Sequence, residues 1–117
     1  MLKVKKINID KELMKKYKLS EHDLFYIADF NTKEIGYGII KQGETNKIEI
    51  YIYEKYQGNG YGSFLFGKLL KEIDTHLELK VKLDNEKMKR IILKYNGKEL
   101  SRNGKYVIYV VPKIKKD

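Results

Sequence analysis

Hydrophobic and polar residues alternate without a break over residues 47–53: Ile48, Ile50 and Ile52 fall on one side, Glu49, Tyr51 and Tyr53 on the other. A period of two marks a strand with one buried face. Upstream, LKVKKINI alternates over a shorter span and predicts a first strand. Asp10 is placed to cap a helix over KELMKKYKL, whose Leu13, Met14 and Tyr17 recur at helical spacing. HDLFYIADF, the turn NTK and EIGYGII predict a β-hairpin, and KQGETN a second turn. Beyond residue 60 the period changes. Leu65, Phe66, Leu69, Leu70 and Ile73 form the apolar stripe of a helix. LELKVKL returns to a period of two, with Leu77, Leu79, Val81 and Leu83 together. NEKMKRIILKY predicts a less sharply patterned helix through Met88, Ile91, Ile92 and Tyr95. GKEL, the turn SRNG and KYVIYVV predict a closing hairpin; its last strand is apolar on both sides and belongs inside a sheet.

The order β-α-β-β-β-α-β-α-β-β predicts an α/β (α+β) fold. Its central sheet is mixed and mostly antiparallel, with helices on its faces. The strand–helix–strand run over residues 47–83 implies a right-handed parallel crossover. The 117 residues carry no linker or repeat, so a single domain over residues 1–117 is expected, with KIKKD (113–117) as a frayed tail.

Composition narrows the chemistry. There is no cysteine, which removes disulfides and thiolate metal sites, and the two histidines, His22 and His76, lie far apart, so no metal is expected. The N-terminal residues lack an apolar signal core, and the longest apolar run, YVIYVV, is too short to cross a bilayer. A cytoplasmic protein without a membrane partner is expected. Net charge is +9, and its placement is uneven. Residues 1–79 hold 13 Lys against 12 acids; residues 80–117 hold 12 Lys and Arg against four. Such a field suits a solvated surface or an anionic partner, either RNA or a phosphorylated cofactor.

The stretch YEKYQGNGYGSF places three glycines, Gly58, Gly60 and Gly62, between the alternating strand and the striped helix. Bare backbone ahead of a helix N-terminus exposes N–H donors where the helix dipole is positive, an arrangement that cradles phosphate. A P-loop would need Gly-Lys-Ser/Thr there, whereas Gly67-Lys68-Leu69 lies inside the helix. A dinucleotide fingerprint would need a third glycine where Ser63 stands. A third pattern, Q/R-x-x-G-x-G/A, is met at every position by Gln57-Gly58-Asn59-Gly60-Tyr61-Gly62. With Ile50-Tyr51-Ile52 ahead of it and FYIADFNTKEIGYGII before that, the chain resembles the GNAT family of N-acetyltransferases from about residue 20 to residue 111.

The resemblance implies acetyl-CoA as cosubstrate and a primary amine as acceptor. The backbone of Gln57, Gly58, Asn59, Gly60, Tyr61, Gly62 and Ser63 would hold the pyrophosphate. The strand edge at Ile50 and Ile52 would pair with the pantetheine arm, and the Ile52 amide would polarise the thioester carbonyl. Asn85 stands where the family pattern has an asparagine and joins the cofactor set. Glu49 is the candidate base and Tyr95 the candidate acid, although ungapped counting puts Ile92 at the family's tyrosine. The plainer readings are a Glu49 paired with Lys80 or Lys82, and a Tyr95 that packs helix on sheet. Tyr51, Tyr53, Tyr56 and Tyr61 gather around the same strand and loop, to line an acceptor pocket or simply to pack. The acceptor would be a small molecule or a protein, with an amine-bearing nucleic acid less favoured, and the assembly a monomer or homodimer. Two alternatives stand beside this: a non-catalytic CoA-binding module, and an RNA-binding domain using residues 80–117 with Tyr106 or Tyr109 for stacking.

Overall fold

A computed structural model describes residues 1–43 and 46–113. Within it, β1 (Leu2–Ile7), β2 (Leu24–Phe30), β3 (Lys33–Lys41) and β4 (Lys47–Ile52) form an antiparallel sheet in chain order. A second sheet has the order β5 (Leu77–Lys82), β7 (Tyr106–Val111), β6 (Lys98–Arg102). Helices α1 (Lys11–Tyr17), α2 (Tyr61–Leu70) and α3 (Glu86–Lys94) complete the predicted order. The doubly apolar β7 is central in its sheet, as its pattern requires. The expected single sheet is in fact two. Among the described residues they are joined by one parallel bridge, Asn46 to Leu77, so β4 and β5 start side by side and are not paired beyond it.

The main core lies between the sheets and α2. Ile48 and Ile52 of β4 meet Leu65, Phe66, Leu69 and Leu70 of α2, Leu77, Leu79 and Val81 of β5, and Ile92 of α3. A smaller core on the other side of the first sheet holds Leu19, Phe25 and Ile39 beneath Leu13, Met14 and Tyr17 of α1. The Ile/Glu-Tyr alternation of β4 is therefore a partition between two environments.

Local chemistry sets the element ends. Asp10 caps α1 by accepting from the Leu13 N–H at 2.9 Å. The helix stops at Tyr17, two residues short of the predicted KELMKKYKL segment, because Lys18 takes a left-handed conformation (φ 55°) and Leu19 N–H closes on the Met14 carbonyl. Asn31 and Thr32, both at positive φ, make the tight hairpin turn between β2 and β3. In the last hairpin the turn falls later than SRNG predicted: Ser101 and Arg102 still pair with Ile108 and Val107, after a ladder shift between Glu99 and Ser101. The Asn103 side chain instead accepts from Lys105 and Tyr106 N–H, both at 2.8 Å, and closes the turn. The tail expected to fray lies outside the described residues from 114 on, as do residues 44 and 45 of the KQGETN turn.

Candidate active site

Where β4 ends, its backbone is open on one side. Tyr53 N–H donates to the Ile35 carbonyl at 2.9 Å, which makes that pair a hydrogen-bonded one. Antiparallel ladders alternate, so the next pairs along, Gly36 with Ile52 and Gly38 with Ile50, are non-bonded. The N–H and C=O groups of Ile50 and Ile52 therefore point away from β3, towards the gap where β5 has left the strand. The Gln57 side chain takes one of them, donating from Nε2 to the Ile52 carbonyl at 2.8 Å.

The chain leaves β4 through a 3-10 turn at Glu54–Tyr56 and enters α2 through the glycine stretch. Gly58 (φ 84°) and Gly60 (φ 79°) are left-handed, a conformation that costs other L-residues about 1–2 kcal/mol. The Asn59 side chain folds back to the carbonyls of Tyr56 (3.1 Å) and Gln57 (3.4 Å), bracing the loop from behind. The first helical bond runs from Phe64 N–H to the Gly60 carbonyl. Consequently the N–H groups of Gly58, Asn59, Gly60, Tyr61, Gly62 and Ser63 donate to no protein acceptor among the described residues. Residues 58–60 are exposed, and nothing lies within 4 Å of where a side chain would start on Gly58 or Gly60. A β-carbon on Gly62 would sit 3.8 Å from Ile52 Cγ1 and 3.9 Å from Ile50 Cδ1. The donor-rich helix end is thus seated directly beside the open strand edge.

The remaining candidates sit around this junction. Tyr95 caps α3; its ring packs against Phe66 (5.5 Å between centroids) and its hydroxyl donates to the Ser63 carbonyl at 3.0 Å. Ile92 is fully buried, so it is a core residue. Lys94 Nζ reaches Ser63 Oγ at 3.1 Å, placing a cation on the first turn of α2. Asn85 caps α3 through its Oδ1, which accepts from Met88 N–H at 3.1 Å. Glu49 lies on the other face of β4 with Tyr51. Its partner is Lys41 of β3 at 3.8 Å; the pairing with Lys80 or Lys82 is not formed, because β5 borders β4 only at its start. Tyr61 packs on Phe30 and Tyr56 joins the edge of the core, so of the four gathered tyrosines only Tyr51 and Tyr53 face the Glu49 side.

The model of the Acetyltransferase (GNAT) family matches residues 5–97. The chain belongs to the GNAT family. Solved structures agree on the fold. The ribosomal-protein-S18-alanine N-acetyltransferase from Escherichia coli superposes with a TM-score of 0.80 at 16% identity, over 100% of this chain and 97% of that one. PseH of Campylobacter jejuni, an N-acetyltransferase in complex with acetyl coenzyme A, gives 0.75 at 10% identity, over 97% and 100%. The PaiA N-acetyltransferase of Thermoplasma acidophilum, in complex with coenzyme A, gives 0.68 at 18%, over 86% and 65%. No curated protein matches the chain by sequence. As in the GNAT pattern read from the sequence, the Q-x-x-G-x-G segment lies between a strand, β4, and a helix, α2.

Three residues at this GNAT site escape pattern reading. Lys94 follows no motif and reaches Ser63 only through the packing of α3 on α2. Gly67 lies mid-helix, and a β-carbon there would overlap the Tyr95 hydroxyl; a glycine within a helical stripe was the available signal. Glu34, the second residue of β3, accepts a hydrogen bond from the Tyr53 hydroxyl. The Tyr53 phenol is pushed well above its usual value, first by burial and then by that bond. Burial likewise raises Tyr37, followed by the nearby Tyr17, Glu49 and Tyr51. No helix among the described residues is long and apolar enough to cross a membrane.

Proposed function

We propose that this protein transfers an acetyl group from acetyl-CoA to a primary amine. The observation that carries the reading is the row of open N–H groups at residues 58–63 set against the free edge of β4. A diphosphate needs clustered donors and positive potential; the first turn of α2 supplies both, and Lys94 adds charge. A pantetheine arm carries amides, and the outward N–H and C=O groups of Ile50 with the Ile52 N–H are matched to them. The cosubstrate supplies an activated acetyl thioester; the rest is done by the chain.

The Ile52 N–H is aimed at the gap and would stabilise charge on the thioester oxygen. Glu49, held by Lys41 on the acceptor side of β4, takes the proton that the amine must lose before it attacks. The C–N bond forms as the C–S bond breaks, Tyr95 protonates the departing sulfur, and the second proton shed by the acylated nitrogen returns to the Tyr95 phenolate. The Tyr95 hydroxyl rests on the Ser63 carbonyl beside the cradle, from which a rotation about the C–O bond redirects the proton. Gln57 holds the end of β4, and Asn85 fixes where α3 begins, so both shape the site through its backbone.

The test is release of free CoA thiol from acetyl-CoA across a panel of primary amines. The expected result is amine-dependent release that Glu49→Gln reduces about 10²-fold or more, with its pH dependence flattened. Acetyl-CoA binding without thiol release with any amine would leave only a cofactor-binding module.

A further inference from the structure

Aromatic rings run in a row across the Glu49 face of the first sheet. Tyr17 of α1 meets Phe25 at 5.0 Å and Tyr37 at 4.8 Å between centroids. Tyr37 meets Tyr51 at 5.9 Å, and Tyr51 meets Tyr53 at 5.9 Å. The row begins in the small core, where Phe25 is 2% exposed, and ends in solvent, where Tyr51 is 46% exposed. Packing beneath α1 explains Tyr17, Phe25 and Tyr37. It does not explain an exposed Tyr51 beside a half-buried Tyr53 at the end of β4, with a carboxylate fastened to Tyr53.

That carboxylate is Glu34. One of its oxygens, Oε2, accepts from the Tyr53 hydroxyl, and no Lys or Arg pairs with it among the described residues. The other carboxylates on this face are already paired: Glu49 has Lys41 at 3.8 Å, and Asp29, opposite Glu34 in the ladder, has Lys5 at 3.6 Å. The outer end of the row therefore offers the exposed Tyr51 ring, the half-buried Tyr53 ring beside it and one carboxylate oxygen, Oε1, in a chain whose net charge is +9. Tyr51 and Tyr53 flank Ile52, whose N–H turns into the gap proposed for the thioester, so an amine on these rings is next to the acyl group.

We propose that Tyr51, Tyr53 and Glu34 form the acceptor seat, and that it selects a singly charged primary amine on a slim alkyl or aryl stem. The proposal rests on the acetyl-transfer reading above and deepens it. Each element of the seat has a physical role. An ammonium over a tyrosine face gains about 0.5–2 kcal/mol, more as water is excluded. A charge-assisted bond to Oε1 adds to it. The stem lies along the rings, as apolar surface does on aromatic surface. Tyr53 is both a contact and a positioning residue, because its hydroxyl holds Glu34 in place. A second or third ammonium, as in a polyamine, meets the positive surface with no further free carboxylate in the row.

Phenethylamine and spermidine serve as the probes, with CoA thiol release measured for the unaltered protein, Glu34→Gln, Glu34→Asp and Tyr53→Phe. Melting with and without acetyl-CoA is recorded for each. The unaltered protein should use phenethylamine better than spermidine. Glu34→Gln should raise the KM for phenethylamine about tenfold, with kcat and the acetyl-CoA melting rise little changed. Glu34→Asp should recover part of the loss, and Tyr53→Phe should raise the amine KM by about threefold. Phenethylamine should also shift the ring NMR signals of Tyr51 and Tyr53 without acetyl-CoA. An amine KM indifferent to Glu34→Gln, unshifted rings, a preference for spermidine, or no turnover of either amine would each overturn the seat while an acetyl-CoA melting rise leaves the cofactor site standing. Absence of that rise in the folded, unaltered protein would remove the acetyl-transfer reading and the seat with it.

Discussion

The Tyr95 hydroxyl donates to the Ser63 carbonyl at 3.0 Å, tying the end of α3 to the first turn of α2. The two residues are 32 apart in sequence and meet at the mouth of the proposed cofactor cradle. If Tyr95 only packed, its ring contact with Phe66 would suffice. Removing the hydroxyl separates the two roles. Tyr95→Phe keeps the ring and should cost about 1 kcal/mol of stability, the worth of one hydrogen bond. It should leave the acetyl-CoA melting rise intact while lowering kcat about 10²-fold. An unchanged kcat would return Tyr95 to a packing role.

Gly67 makes room for that hydroxyl. Gly67→Ala improves helix propensity by about 1 kcal/mol yet forces its methyl into Tyr95. Overpacking typically costs about 1–3 kcal/mol, so net destabilisation is expected in urea unfolding. Combining it with Tyr95→Phe should recover part of the loss, because the clash is with the hydroxyl oxygen. Strict additivity of the two substitutions would show that the residues do not meet.

Tyr26 carries a cost inside the core. It is 4% exposed, and its hydroxyl has no hydrogen-bond partner among the described residues. Burial, with Glu72 nearby, pushes its phenol up to about 12 from the usual 10. The neutral form is the one the fold favours. Its contribution is complete below pH 10, where unfolded tyrosine is also neutral, and is lost as pH rises from 10 towards 12. Tyr26→Phe should be neutral or stabilising by up to about 1 kcal/mol at pH 7. It should also flatten the loss of stability between pH 10 and 12, read by chemical unfolding at stepped pH.

Thr32 holds φ at 71°, a left-handed position that a β-branched residue occupies at a penalty. Its turn joins β2 to β3 with Asn31 also at positive φ. The Asn-Gly pair is the preferred chemistry for such a turn. Thr32→Gly should therefore raise stability by about 1 kcal/mol, with the melting temperature as readout; no change would mean the turn is not strained.

Much of this architecture was legible because it is local. The alternation of Ile48, Ile50 and Ile52 marked the strand, the Leu65–Ile73 spacing marked the helix, and the Gln57–Gly62 spacing marked the loop between them. Each of these patterns is written within a dozen residues. What stayed hidden depends on where distant segments come to rest. The division into two sheets follows from how β5 diverges after Leu77, which no periodicity encodes. Glu49 pairs with Lys41, and not with the expected Lys80 or Lys82, because β3 is its neighbour in the ladder, which only the strand order decides. The Tyr53–Glu34 bond and the fit of Tyr95 over Gly67 join residues 19 and 28 positions apart. In the closing hairpin the Asn103 side chain outcompeted the more obvious SRNG turn. These are tertiary choices among local options that were each acceptable.

The central claim is that the backbone at residues 58–63 grips the diphosphate of a CoA thioester. Calorimetric titration of acetyl-CoA into the unaltered protein and into Gly60→Val tests it without recourse to activity. Gly60 sits at φ 79° with open space around it, so valine there must distort the loop or stand over the donors. The account predicts one molecule bound per chain by the unaltered protein, and affinity weakened at least tenfold, about 1.4 kcal/mol, in the folded variant. Equal affinity in the two proteins, or no heat from the unaltered one at millimolar acetyl-CoA, would contradict it.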